Sequence, residues 1–204
     1  MKRRKFIETG AILTGVILTG CKRDRITSTL ISEIRLSIPF LSQGKDTNNC
    51  GQTSVVMAVA NLVGIQPTLE MVAKSNRWLA EKYNDPEYLT LESNRTDPER
   101  LEALIREYWA QKYKGLSALA IKGASIEMLY KELRSGRPVI ISVRSNMNTD
   151  KNDNGHFMFL TGISDYLVWV NDPAKIAGQN NSYILEKFVQ SWTTKDNKCI
   201  LIWT

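Results

Sequence analysis

Two side chains in this sequence have the chemistry to open an amide bond together, the thiol of Cys50 and the imidazole of His156. Cys50 stands where the polar loop "GKDTNN" gives way to "CGQTSVVMAVANLVG". There Val55, Val56, Ala58, Val59, Leu62 and Val63 recur at helical spacing and Gly64 is a natural stop. A thiol in the first turn of a helix faces unpaired backbone N–H groups and the positive end of the helix dipole. Both favour the thiolate, which is the nucleophilic form. Such positions, with a cationic neighbour, bring a cysteine pKa from about 8.5 down to roughly 3.5–7.5. Gly51 would leave room for a substrate carbonyl to approach the backbone. Taken alone, Cys50 reads rather as a buried structural cysteine, which is what most free cysteines are. In an exported chain it reads also as one half of a disulfide with Cys199.

His156 is the only histidine of the 204 residues and lies in "NGHFMFLTG". Thiolate chemistry wants an imidazole in hydrogen-bond reach, to form the ion pair and then to protonate the leaving group. The imidazole in turn wants an orienting acceptor, and "VND" supplies Asp172, with Asn171 as the alternative. Suppose 156–163 and 167–172 form a hairpin with a three-residue loop, Ser164 to Tyr166. Residue 158 then faces 172, and 156 shares its face one diagonal step away, roughly 7–8 Å between Cα atoms. A two-residue loop would put the pair on opposite faces. The pairing therefore requires an odd loop or a bulge. Gln43 precedes Cys50 in the same loop, and its side-chain N–H could join the Cys50 backbone N–H in holding an oxyanion. On its own a loop glutamine is usually solvated.

The elements that must position these groups follow from the pattern. "RLSIPFLSQ" reads as a short extended segment closed by Pro39. "TLEMVAKSNRWLAEKY" is a second helix capped by Thr68. "SNRTDPERLEALIREYWAQKY" is a third, capped by Thr96 or Asp97 with Pro98 just inside. Its Tyr108, Trp109 and Tyr113 read as core packing rather than a ligand cage. "GASIEMLYKELRSG" is a fourth, with Ser125 as cap and Gly136 as stop. Then the character changes to "RPVIISV", "HFMFLTGIS", "YLVWVND" and "KCILIWT", which read as strands. Helices followed by an antiparallel sheet give an α+β class with the two halves segregated.

Taken together, "IPFLSQ", "NNCGQTSVVMAV", "SGRPVIISV", "GHFMFLTGI" and "VNDP" resemble the papain-like cysteine peptidases related to the bacteriocin-processing, double-glycine leader peptidases. The resemblance runs from Ile38 to about Trp203, with the blocks in the family's order. It implies a papain-like fold in which a helical lobe and a sheet lobe flank the active site. It further implies Cys50 as nucleophile, His156 as general acid–base, Asp172 as orienter and Gln43 as oxyanion donor. The substrate is then a peptide or peptide-like amide. Gln52 stands where relatives often carry proline. Leader peptidases are moreover fused to transporters and face the cytosol, so the leader-processing substrate is not carried over. Acyl transfer to an amine, as in the phytochelatin-synthase relatives, is an alternative outcome of the same chemistry. An inactive papain-like binding module on the cell surface is the alternative of a different class.

The composition narrows the field. Apolar residues make up 43% and charged residues 24%, an ordinary globular mix able to bury a core. Lys2, Arg3, Arg4 and Lys5 against Glu8, with "KRDR" at 22–25, hold five of the six net positive charges. The near-neutral remainder gives no basic groove and no reason to expect a nucleic-acid partner. Three cysteines lack zinc-finger spacing and one histidine cannot build a histidine-rich site, so neither metal nor cofactor is expected. The first residues, "MKRRKFIETGAILTGVILTGC", order charged, apolar and small-residue regions as an export signal does. Gly10 to Gly20 is too short to span a bilayer comfortably. "LTGC" resembles a lipobox, which implies lipidation of Cys21, and "RRKFI" resembles a twin-arginine motif. The expected organisation is an export signal over 1–21, a tether over 22–36 and a catalytic domain over 37–204. Its expected setting is a monomer in the cell envelope, held to the membrane by lipid on Cys21.

Overall fold

The computed structural model describes residues 32–44, 47–90, 96–150 and 154–204. The expected export signal, Cys21 and most of the tether lie outside the described residues. Among those described, no helix is long and apolar enough to cross a membrane.

Three helices build one half of the core. α1 spans Cys50–Val63 and ends where Gly64 takes a left-handed φ of 73°. α2 spans Leu69–Tyr83, with the Thr68 hydroxyl accepting from the Met71 N–H. α3 begins as Pro98–Ala103, capped by Asp97, widens into a π-helical stretch over Leu104–Trp109 and closes with Ala110–Lys112. Trp109 is buried there and stacks on Tyr113, in keeping with a packing role.

Among the described residues the sheet has seven strands: β1 (Ile34–Arg35), β2 (Ser117–Ile121), β3 (Val139–Arg144), β4 (Gly155–Ile163), β5 (Leu167–Asn171), β6 (Asn181–Ile184) and β7 (Cys199–Trp203). They run in the order β2-β7-β3-β4-β5-β6, and β1 pairs with the far end of β4. Every pairing is antiparallel. The period of two sends alternate side chains to opposite faces. Ile140, Phe157, Phe159, Ile200 and Ile202 pack with α1, α2 and α3. Val139, Ile141, Val143, Met158, Leu160 and Val170 turn the other way. They meet α4 (Ile126–Arg134) and α5 (Leu185–Thr193).

The α+β class therefore holds, with helices on both faces of the sheet. β2, β6 and α5 are additions to the sequence reading. "SALAI" carries two alanines and little of the branched or aromatic character that marks a strand. β6 is only four residues, "NSYI". α5 shows the helical period in Leu185, Phe188, Val189 and Trp192, but over nine residues. The extended segment read up to Pro39 leaves the sheet at Arg35; beyond it only the Leu36 N–H still bonds a strand carbonyl, that of Thr161 at 2.8 Å.

Candidate active site

α1 delivers Cys50 as its first residue. Its N-cap, Asn49, makes no side-chain cap bond to the helix. The Asn49 Oδ1 accepts from Asn76 Nδ2 of α2 at 2.9 Å instead. Of the N–H groups that open α1, that of Gly51 is one of those that bond the thiol. Gly51 has a role other than the one expected from sequence. A Cβ there would lie 2.7 Å from the Thr96 methyl and 2.9 Å from a Leu101 methyl. The glycine admits the start of α3 rather than a substrate carbonyl. Gly51→Ala should overpack this contact and cost about 1–3 kcal/mol, read as a lowered midpoint in denaturant unfolding.

β4 delivers His156 from its first turn of pleat, opposite Val143 of β3. Asp172 follows the last residue of β5. The β4–β5 hairpin closes with a two-residue turn, Asp165-Tyr166, since the Ser164 N–H donates to the Leu167 carbonyl at 2.8 Å. That turn alone would set His156 and Asp172 on opposite faces. A bulge corrects it. Ile163 pairs with Val168 and Gly162 with Trp169, but Leu160 pairs with Val170 and Phe159 with Asn171, which leaves Thr161 as the extra residue. The Thr161 hydroxyl bonds Asn180 Oδ1 at 3.1 Å, and the Asn180 N–H bonds Asn171 Oδ1 at 3.0 Å, so the bulge is tied down. His156 Nε2 and Asp172 Oδ1 then meet at 2.7 Å. Asn171 is turned to Asn180 and not to the imidazole.

The loop after β5 is built around the carboxylate. Asp172 Oδ1 also accepts from the Ala174 N–H at 3.1 Å, and Lys175 Nζ lies 3.3 Å from Oδ2. The Asp172 N–H donates to the Gly178 carbonyl at 2.8 Å. A Cβ on Gly178 would fall 2.0 Å from the Asp172 carbonyl oxygen, so only glycine fits this close approach. The next carbonyl, that of Pro173, accepts the Gln43 N–H at 2.8 Å. One corner thus holds both the carboxylate and the loop that carries Gln43.

These elements converge on a cleft of about 1060 Å³ whose walls include Gln43, Cys50, His156, Phe157 and Ala174. His156 is 7% exposed and Asp172 2%, while Cys50 keeps partial access to the cleft. Gln43 is buried rather than solvated, and its Nε2 donates to the Thr47 carbonyl. A primary amide has two such protons, and the Thr47 carbonyl takes one of them.

Burial opposes charge at Cys50. Against it act the hydrogen bond and positive charge of His156 and the N–H groups of Phe157 and Gly51, and together they hold the thiol below its ordinary pKa. Burial also opposes charge on His156, but Asp172 and the thiolate outweigh it and push the imidazole up to about 10. At Asp172 burial is overcome by His156, Lys175 and the Ala174 N–H, and the carboxyl sits below its usual range. With Nε2 engaged by Asp172, Nδ1 is the ring nitrogen left for the sulfur. The arrangement can hold a thiolate beside an imidazolium. Among the described residues Cys199 has no such partners. It is a free thiol buried between strands, and burial pushes it up to about 12. The alternative of a Cys50–Cys199 disulfide is thereby set aside.

Sequence reasoning passed over Lys175 and the backbone donors at Phe157 and Ala174. Lys175 follows "NDP" closely enough to have been a candidate. The backbone donors have no sequence signature, because any residue but proline supplies them.

Comparison with known proteins follows the same lines. The model of the Peptidase_C39 like family matches residues 35–200. Among solved structures, a protein described as a C39-like peptidase from Bacillus anthracis is 21% identical. It aligns over 85% of this chain and 98% of its own, with a TM-score of 0.60. The double glycine motif protease of an AMS/PCAT transporter, solved in complex with the leader peptide, is also 21% identical over 82% and 92%, at 0.50. The peptidase domain of Streptococcus ComA, a bifunctional ABC transporter involved in quorum sensing, is 16% identical over 81% and 97%, at 0.52. These likenesses carry the fold. No curated protein gave a match.

Proposed function

From the premise that this chain belongs to the Peptidase_C39-like family, we propose that it is a working cysteine peptidase or amidohydrolase of the cell envelope. In this reading it acts on peptides or peptide-like amides and is anchored by lipid on Cys21. The observation that carries the reading is the buried hydrogen-bonded array Cys50–His156–Asp172 opening onto a cleft. A peptide substrate is supported further by the leader peptide bound to the AMS/PCAT protease.

The chemistry follows from the array. The Cys50 sulfur attacks the carbonyl carbon, and the oxyanion lies against the Cys50 N–H and the second Gln43 Nε2 proton. His156 gives its proton to the amide nitrogen as the C–N bond breaks, leaving a thioester and a neutral imidazole. That imidazole then takes a proton from water, whose oxygen attacks the thioester. The thiolate leaves, the acid departs and the imidazolium is restored. Asp172 keeps the ring in place throughout.

Iodoacetamide labelling tests the reading without a known substrate. Cys50 should be alkylated well below pH 8, while Cys199 stays unmodified in the folded protein. Mass mapping of the labelled peptides reads both at once. Equally slow labelling of the two would favour the inactive binding module. A peptide carrying a thiol-reactive group in place of its scissile amide should label Cys50 faster still.

A further inference from the structure

The carboxylate that orients His156 is shared with a lysine, and the proposed catalytic roles leave that lysine unused. Lys175 Nζ lies 3.3 Å from Asp172 Oδ2, on the oxygen that the imidazole does not use. It is fixed from a second direction by a 2.8 Å hydrogen bond to the hydroxyl of Tyr183 on β6. Its backbone is fixed as well, the Lys175 N–H donating to the Asp172 carbonyl at 3.2 Å. The stem of Lys175 therefore cannot swing freely, although its side chain is 42% exposed. Asp172, at 3%, is enclosed.

We infer that Lys175 is a positioning residue that divides the charge of Asp172, one oxygen serving the imidazole and the other the ammonium, and so limits how tightly His156 holds its proton. This role rests on the proposed triad. Its logic lies in the two halves of the reaction. Acylation needs a protonated imidazole, whereas release of the thioester needs a neutral one that can accept a proton from water. An imidazole paired with both a thiolate and an undivided buried carboxylate would be held too firmly in the charged form. A cation on the far oxygen draws part of that field away. Tyr183 holds the cation at that oxygen.

Other charges face the same site. Lys195, Asp196 and Lys198, from the segment after α5, and Asp97, at the start of α3, line the cleft. The carboxylate's second oxygen is paired with the Lys175 ammonium. Removal of Lys175 should therefore be felt first at Asp172 and through it at His156.

Because His156 is the only histidine in the chain, its imidazole resonances report on this site alone. The experiment is a pH titration of the purified protein, labelled at histidine, followed by NMR. The wild-type imidazole should titrate near 10. K175M should move that midpoint up by about half a pH unit, in the direction expected when a neighbouring cation is lost. K175R should restore it, and raised salt should shrink the difference. K175Q serves the same purpose should the methionine variant fail to fold. A midpoint that stays put or moves down in K175M or K175Q overturns the role of Lys175 while leaving the triad standing. A wild-type imidazole that titrates at its ordinary 6.5 removes the ion-paired triad, and this role with it. A purely structural lysine would lower stability without moving the midpoint.

Discussion

Cys50→Ala will abolish turnover, with hydrolysis of a susceptible peptide amide falling by about 10⁴-fold or more. The size of the loss follows from what remains. On the proposed roles, Gln43 and the α1 backbone would still polarise a carbonyl, and His156 with Asp172 would still activate water. No covalent route survives, because Cys199 is enclosed between strands and its thiol is held protonated. The fold should be little disturbed, since the deleted sulfur borders the cleft at a helix end and is only partly buried against the core. Circular dichroism and the unfolding midpoint should therefore stay near wild type. The imidazole should respond as well. The thiolate is one of the groups that raise the His156 pKa, so its loss should bring the histidine titration down. A Cys50→Ala protein that keeps a tenth of the activity would place the nucleophile elsewhere.

His156→Gln is expected to be nearly as damaging, by about 10³-fold to 10⁴-fold, for two separable reasons. The leaving amine loses its proton donor, and the thiol loses the partner that keeps it ionised. Burial raises the Cys50 pKa and is at present outweighed chiefly by the hydrogen bond and charge of His156. With the imidazole gone, only the N–H groups of Phe157 and Gly51 oppose burial, so the thiol pKa must rise. The pH midpoint for iodoacetamide labelling should therefore move upward in the variant. Unchanged labelling would mean that the helix terminus alone activates the thiol.

The same pair sets the wild-type pH dependence. As pH rises, the ion pair forms when the thiol deprotonates below its ordinary value. It is lost when the imidazolium gives up its proton near 10. Turnover should follow a bell between those limits, whose two constants belong to the coupled pair rather than to either residue.

Much of this molecule could be read before any coordinates. The helix opening at Cys50, the caps at Thr68, Asp97 and Ser125, and the stops at Gly64 and Gly136 are local events, decided by side-chain oxygens and backbone freedom within a few residues. The strands rich in branched residues were equally plain. What escaped was either short or non-local. Alanine in β2 packs against β7 because of where the sheet puts it and not because of any preference of its own. Gly51 looked like space for a ligand because nothing in sequence announces that Thr96 and Leu101 fill that space. Gln43 illustrates the opposite case. A loop amide has no reason to be buried until the Pro173 carbonyl captures its backbone from the far end of the chain.

The hairpin carries a consequence for how such sites drift. A three-residue turn without the irregularity at Thr161, and the two-residue turn with it, bring His156 and Asp172 to the same side over the same number of residues. The two solutions are interchangeable in arithmetic and differ in where the spare residue is stored. Relatives are thus free to migrate that residue along the ribbon, trading a longer tip for a straighter strand, provided that the count stays even. Alignment by sequence would score the exchange as an insertion beside a deletion, although the chemistry at the mouth of the ribbon had not changed.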